Sequence, residues 1–178
     1  MKFIIILSFV FLVNLSHAVD WVSKTYSTVT IKNTTKLPDG SIYSNFEQTG
    51  QGNSNLGKYV ISNCSGNRLD KKGKLVEITV FCEFEVDDGN KYWTKVKRTT
   101  GASDAGVSKF KFLGGTNSFN KLKGKECTYA VSYFKNKIFG SNKCQISDEL
   151  FQELKKWYLS NTYLLYSVYY LLQAVGAI

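Results

Sequence analysis

Residues 74–86 read KLVEITVFCEFEV, and this stretch decides the fold. Its apolar side chains recur at every second position, at Val76, Ile78, Val80, Cys82, Phe84 and Val86. The positions between them hold Glu77, Thr79, Phe81, Glu83 and Glu85. Because successive side chains of a β-strand point to opposite faces, this alternation predicts a strand with one buried and one mainly hydrated face. The turn sequence Asp87-Asp88-Gly89-Asn90 follows directly and predicts an antiparallel hairpin.

The same pattern extends in both directions along the chain. Stretches rich in β-branched and aromatic residues cover residues 21–32, 57–63, 91–100, 107–113, 125–134 and 138–146. The polar segments 48–57 and 65–73 are predicted to be loops, and Pro38-Asp39-Gly40 is predicted to be a turn. Seven or more short strands without intervening helices predict an all-β antiparallel domain, either a barrel or a sandwich.

The periodicity changes after Ile146. Ser147 is a suitable helix N-cap, and the acidic side chains Asp148 and Glu149 follow in the first turn. An amphipathic helix is therefore predicted from Asp148 to about Leu159. We expect it to pack on the barrel, or across an open end, through an apolar stripe of Leu150, Phe151, Leu154 and Trp157.

Residues 157–178 contain no charged side chain, and the segment is long enough to cross a bilayer. Its flanking charges, Lys155 and Lys156, would then lie on the exported side, against the positive-inside bias. One helical face of the segment is aliphatic and the other is rich in tyrosine. This pattern favours a helix that packs on protein or lies at an interface.

The first eighteen residues have the composition of a secretory signal peptide. Lys2 precedes an apolar run from Phe3 to Leu15, and Ser16-His17-Ala18 places small residues where signal peptidase reads them. Cleavage after Ala18 would export a β-domain at 19–146 with a helical segment at 147–178. It would also remove the only histidine, which excludes catalytic pairs and zinc sites that need an imidazole.

The chain is basic, with a formal net charge of +9 that becomes +8 when Lys2 leaves with the signal peptide. Its cations are almost all lysine, and Arg68 and Arg98 are the two arginines. Lysine lacks the planar guanidinium that binds bases and phosphates through two parallel hydrogen bonds. We therefore expect no nucleic-acid partner.

Four cysteines fall in the mature chain, and an even number in an exported protein predicts two disulfides. Cys127 and Cys144 lie on consecutive predicted strands, and a tight turn at Lys135-Asn136 would place them opposite each other. These two are expected to pair, and by elimination Cys64 pairs with Cys82. The C-x-x-C spacing of zinc ribbons and thioredoxin-type sites is absent, so no metal site is predicted.

One segment resembles the glycine-rich signature of allene-oxide-cyclase-like and dirigent-like β-barrels, namely Gly114-Gly115-Thr116-Asn117-Ser118-Phe119-Asn120-Lys121-Leu122-Lys123-Gly124. With Tyr92-Trp93 ahead of Arg98, and with the cysteine placement, residues 57–146 look like one group of small exported bacterial proteins. The resemblance implies an up-and-down barrel of about eight strands with a hydrophobic interior, in the periplasm or outside the cell. It implies no particular reaction. Asn117 and Asn120 stand where the signature has glycine.

Strand parity predicts which side chains line the barrel interior. The candidate ligand-binding residues are Tyr92, Arg98, Phe110, Phe112, Tyr129 and Tyr133. An aromatic lining with one cation suits an amphipathic acid. The alternative is a filled core from which Arg98 extends into solvent at the end of its strand.

The carboxylates give no comparable site. Glu83 and Glu85 share a strand face, as a general acid and base would, but they are better explained as the hydrated face of the strand. The turn at residues 87–90 lacks the spaced ligands of a calcium loop. We therefore predict no catalytic residue and no cofactor.

These observations favour an exported, disulfide-stabilised β-barrel that is noncatalytic and that binds a small apolar or amphipathic ligand or serves an envelope role. Two alternatives stay open. One is a cyclase or isomerase of the allene-oxide-cyclase-like type, which acts largely by shaping a bound substrate. The other is an envelope protein attached to a membrane by its C-terminal segment.

Overall fold

The strands form a closed, eight-stranded antiparallel barrel. The computed structural model describes residues 17–99 and 105–156. The strands are β1 (Ala18–Lys36), β2 (Ile42–Ser54), β3 (Tyr59–Lys71), β4 (Lys74–Val86), β5 (Lys91–Arg98), β6 (Ala105–Gly115), β7 (Glu126–Phe134) and β8 (Lys137–Ser147). Each strand pairs with the next in sequence, and β8 pairs with β1 to close the barrel. The predicted all-β, up-and-down architecture with a C-terminal helix is confirmed.

Two short helices follow the sixth and eighth strands. A 3₁₀ helix spans Asn117–Leu122, and α1 spans Asp148–Lys155. The Ser147 side chain caps α1 as predicted, because its hydroxyl accepts a hydrogen bond from the backbone N–H of Leu150 at 3.3 Å. The helix stops short of the predicted Leu159, since Lys156 already has an extended backbone.

Some predictions fall on parts of the chain that the structure does not describe. The signal segment up to residue 16, Trp157 and the uncharged segment that follows it lie outside the described residues. Within residues 17–99 and 105–156, no helix has the length and hydrophobicity needed to cross a bilayer.

The predicted loops at 48–57 and 65–73 are wrong over most of their length. Strand β2 continues to Ser54, and β3 continues to Lys71. Gly50, Gly52 and Gly66 allow close packing inside the sheet: a Cβ at Gly66 would lie 2.7 Å from the Phe46 ring. The turn of the β3–β4 hairpin is only Lys72-Gly73, where both residues have positive φ, at 51° and 74°.

A bulge in the β3–β4 hairpin changes which side chains of β4 are buried. The register shifts between Leu69 and Asp70, so the phase of the first residues of β4 differs from that of the rest. Leu75 is buried and Val76 is 38% exposed, which corrects the predicted position of Val76 on the buried face. From Ile78 onward the predicted alternation places Ile78, Val80, Cys82 and Val86 inside.

Both predicted disulfides are present and lie on the inner wall of the barrel. Cys127 bonds to Cys144 with Cα atoms 4.8 Å apart, next to the pair Thr128–Lys143 in the register set by the turn at residues 135–136. Cys64 and Cys82 are direct cross-strand partners with Cα atoms 4.0 Å apart. Two disulfides are consistent with an oxidising, exported environment.

The two ends of the barrel differ. At one end the 3₁₀ helix and α1 pack their buried side chains Phe119, Leu122, Phe151 and Leu154 onto the barrel core. We call this the capped end. The other end carries the turns at residues 37–41, 72–73 and 135–136 with the lysines Lys36, Lys72, Lys74, Lys135 and Lys137, and we call it the basic end.

Candidate ligand cavity inside the barrel

A cavity of about 100 Å³ lies inside the barrel. All six side chains that the sequence nominated as ligand-binding residues line it, namely Tyr92, Arg98, Phe110, Phe112, Tyr129 and Tyr133. They come from β5, β6 and β7, three neighbouring strands whose inward faces meet at the barrel axis. The six residues predicted from the sequence therefore surround a single cavity.

The side of the cavity towards the capped end is a packed aromatic cluster. The Trp21 ring lies 5.7 Å from that of Phe112 and 5.9 Å from that of Tyr92, measured between centroids. Tyr92 stacks on Phe84 at 4.7 Å and on Phe119 at 5.1 Å. Burial raises the pKa of the Tyr92 hydroxyl far above its ordinary value, so this group stays protonated.

The side of the cavity towards the basic end is organised by Arg98. Arg98 is the last residue of β5 and is only 7% exposed, so its side chain does not extend into solvent. Gly106 on the neighbouring strand makes room for it, because a Cβ at that position would collide with the guanidinium. Nη1 of Arg98 donates a hydrogen bond to the Ala105 carbonyl at 3.4 Å.

Two tyrosines share this side of the cavity with Arg98. Burial raises the pKa values of Tyr129 and Tyr133, and the positive charge of Arg98 opposes the rise for both. The charge of Arg68 also acts on Tyr133. The hydroxyls therefore remain protonated donors beside a fixed cation, an arrangement that suits an anionic oxygen atom.

Arg68 itself is committed to a carboxylate. Its Nε and Nη2 donate to the two oxygens of Asp70, at 2.5 and 2.7 Å. The hydrogen bonds to Asp70 raise the pKa of the Arg68 guanidinium. Arg98, in contrast, lines the cavity with its guanidinium.

Sequence reasoning missed the wall that β1 and β8 contribute. Trp21, Ser23 and Thr25 line the cavity from β1, and Ile138, Gly140 and Asn142 line it from β8. The alternation of residues 21, 23 and 25 could have nominated them. The buried Nε1 of Trp21 has no hydrogen-bond acceptor among the described residues, so the wall contains a donor available to a polar atom in the cavity.

The size of the cavity limits what it holds without rearrangement. A site needs roughly 10–15 Å³ for one water, while pockets that enclose drug-sized ligands measure about 300–1,000 Å³. An apolar cavity of about 150 Å³ is enough for benzene. At about 100 Å³ the barrel interior is smaller than that cavity, so without rearrangement it holds a molecule smaller than benzene or part of a larger one.

The other candidate groups take structural roles. Glu83 lies on the outside of the sheet, where it accepts hydrogen bonds from Lys91 Nζ and Trp93 Nε1, both at 2.9 Å. These contacts lower the pKa of the Glu83 carboxyl. In the turn at residues 87–90, Asp88 is buried against Lys58. Across the described ranges, no cluster of three or more histidine, cysteine or acidic side chains is arranged to hold a metal ion.

The glycine-rich segment forms part of the cap. Thr116 Oγ1 accepts a hydrogen bond from the backbone N–H of Lys91 at 2.8 Å, and Asn117 Nδ2 donates to Asn90 Oδ1 at 2.7 Å. Asn117 adopts a positive φ of 47°, the conformation for which the signature uses glycine. A Cβ at Gly115 would lie 2.5 Å from that of Phe119, so this glycine lets the 3₁₀ helix fold back onto the barrel.

Comparison with known proteins adds no family to this description. Neither a scan against protein-family models nor a search of curated proteins finds a match for the chain. The eight-stranded antiparallel barrel that the allene-oxide-cyclase-like resemblance implied is present.

Proposed function

We propose that this protein is an exported, noncatalytic β-barrel that binds a small amphipathic acid in its interior. The acid group lies against Arg98, and the apolar body lies along Phe110, Phe112, Tyr129 and Tyr133. The observation that carries the proposal is a buried guanidinium at one side of an otherwise mainly apolar and aromatic cavity.

The charge of the cavity favours an acid over a neutral ligand. The Arg98 guanidinium in the wall attracts an anionic group, and a low-dielectric site strengthens that attraction. The hydroxyls of Tyr129 and Tyr133 offer further donors to the same anionic group. A ligand with a carboxylate and a compact hydrocarbon part matches these features.

Export rests on two independent features. The predicted cleavage site after Ala18 coincides with the start of β1, so that cleavage would leave the strand from Val19 onward intact. The two disulfides match a compartment in which thiols oxidise. Intact mass and N-terminal sequencing of the secreted protein test this part, and a mature chain that still starts at Met1 would overturn it.

Isothermal titration with short straight-chain fatty acids tests the binding proposal. We expect measurable affinity for acids and none for the corresponding amides. Arg98→Met should weaken binding by about 1.5–3 kcal/mol, roughly tenfold or more, because a charge-assisted hydrogen bond is lost while the apolar stem is kept.

Lys97→Met is the matched control for that variant. Lys97 is the neighbouring residue, but it lies on the outer face, 3.3 Å from Glu77. The Lys97→Met substitution removes the same unit of charge outside the cavity and should leave the affinity for the acid unchanged. Absence of binding by the parent protein, or equal binding by the parent and Arg98→Met, would remove Arg98 from any site and leave a filled core.

A further inference from the structure

We propose that the basic end of the barrel docks onto a membrane surface that carries anionic lipid headgroups. This interaction surface is separate from the cavity, and the proposal does not depend on ligand binding there. It rests on lysines and exposed apolar side chains that recur together on three turns at the same end.

Each of the three turns carries both elements. Ile42 is 44% exposed and pairs with Lys36 across the β1–β2 hairpin. Phe134 is 65% exposed and pairs with Lys137 across the β7–β8 turn. On the β3–β4 hairpin, the exposed Val76 follows Lys74 after one residue, on the strand that leaves the turn at residues 72–73.

Within residues 17–99 and 105–156, the five lysines of this end form no ion pair. The neighbouring acids are already paired: Asp39 with Lys71 at 2.7 Å, Asp70 with Arg68, Glu47 with Lys32 and Glu77 with Lys97. Among the ion pairs of the described residues, none involves Lys36, Lys72, Lys74, Lys135 or Lys137. These five cations therefore repel one another and favour an anionic partner.

The capped end has a different charge balance. Lys58, Lys91, Lys121 and Lys143 at this end are paired with acids. Four further lysines, Lys123, Lys125, Lys155 and Lys156, form no ion pair among the described residues, but acids at the same end offset part of their charge. The first turn of α1 adds the negative charges of Asp148 and Glu149. An anionic surface would therefore attract the barrel with its basic end first.

The exposed apolar side chains make an anionic lipid surface a better partner for the basic end than other polyanions. An isoleucine, a valine and a phenylalanine that protrude among lysines can enter the boundary between headgroups and acyl chains, while the ammonium groups stay with the phosphates. A nucleic acid offers no apolar layer for them. Arginine, the residue best suited to phosphates in nucleic acids, is absent from the residues at these turns.

Vesicle co-sedimentation of the full chain tests the proposal, with phosphatidylglycerol-containing vesicles compared against pure phosphatidylcholine. Replacing Lys36, Lys74, Lys135 and Lys137 by Gln should weaken binding to the anionic vesicles by roughly a hundredfold or more. The matched control replaces Lys123, Lys125, Lys155 and Lys156 at the capped end by Gln. It removes the same charge and should leave binding within about threefold of the parent.

Both variants retain residues 157–178, so any binding contributed by that segment is equal in the two. A second variant, Phe134→Ser, should lower binding by about tenfold, since an inserted aromatic side chain is lost. Equal loss in the two lysine variants would overturn the proposal. Tight retention on heparin that Phe134→Ser leaves unchanged, with no preference for anionic vesicles, would overturn it in favour of a soluble polyanion.

Discussion

The capped end and the basic end carry the same kinds of side chain in opposite environments. Phe119 at the capped end is 2% exposed, whereas Phe134 at the basic end is 65% exposed. Lys58 at the capped end is buried in an ion pair, whereas Lys135 projects from a turn and lies over the Phe134 ring at 5.6 Å. Away from the bulges, the strands keep the same inside-outside alternation towards both ends. The segments that connect or follow the strands therefore decide whether the side chains of an end are buried or exposed.

The two phenylalanines give the largest expected contrast. Phe119→Ala should destabilise the protein by about 3–5 kcal/mol, because it leaves a cavity against Trp21 and Tyr92. Phe134→Ala should change stability by no more than about 0.5 kcal/mol. Guanidinium unfolding of the two variants measures both values. Similar losses would show that the difference between the two ends is not real.

The buried pair of Lys58 and Asp88 should give the next largest effect. Lys58→Met should cost about 3 kcal/mol, since it leaves the Asp88 carboxylate buried without its cation. Lys32→Met, which breaks the exposed pair with Glu47 at the basic end, should cost less than about 1 kcal/mol. Denaturant unfolding at neutral pH compares the two, and equal costs would contradict the burial of Lys58.

The same pair predicts the direction of a pH dependence. Burial raises the pKa of the Asp88 carboxyl, but the hydrogen bonds from Lys58 and from Asn90 outweigh it and lower the pKa below its ordinary value of 3.8. The unfolded chain therefore takes up this proton first, and stability falls as the pH drops below about 4. This acid-induced loss should be smaller in Lys58→Met, measured by unfolding at several pH values.

The disulfides allow a comparison within the core. Cys127–Cys144 belongs to the cluster that extends to the capped end, and Cys64–Cys82 belongs to a second cluster with Phe46, Leu75 and Ile78. Their sequence separations are 17 and 18, so removing either bond by double Cys→Ala substitution should cost about 3 kcal/mol. Unfolding without reductant measures each loss. A nonreducing peptide map that joins Cys82 to Cys127 would contradict both assignments.

The smallest effect concerns the tyrosines beside Arg98. Because the guanidinium opposes the burial-induced rise in the pKa of Tyr129 and Tyr133, Arg98→Met should shift their ionisation to higher pH. Stability should fall as the pH rises above 10, since the unfolded chain ionises these hydroxyls first. Alkaline titration followed by tyrosinate absorbance measures the shift, with Lys97→Met as the control that should not move it.

The sequence predicts the middle of the barrel better than its ends. Parity along β5 and β7 places Arg98, Tyr129 and Tyr133 correctly around one space, because a strand allows only two side-chain directions. It misplaces Val76, since a bulge adds a residue and reverses the parity locally. The prediction of loops at 48–57 and 65–73 is wrong because a glycine in the sequence can mark either a turn or a strand position where a neighbouring side chain packs closely.

The exposure of side chains at the ends depends on tertiary contacts that no periodicity encodes. Nothing in the local sequence distinguishes Phe119, which folds back onto Trp21, from Phe134, which does not. Trp21, Ser23 and Thr25 on β1 alternate as the inner face of a strand does, but the place of that face in the cavity wall depends on β8 closing against β1. The sequence of a single strand therefore does not show which of its faces lines the cavity, because that depends on how the barrel closes.

A crystal structure of the protein soaked with a bromine-substituted short carboxylic acid tests the central claim most directly. The account predicts anomalous density inside the barrel, with the carboxylate against Arg98 and the brominated end towards Phe110 and Phe112. Soaking the Arg98→Met variant under the same conditions should remove that density. Density only on the outer surface, or an interior that stays unoccupied at saturating acid, would contradict the account.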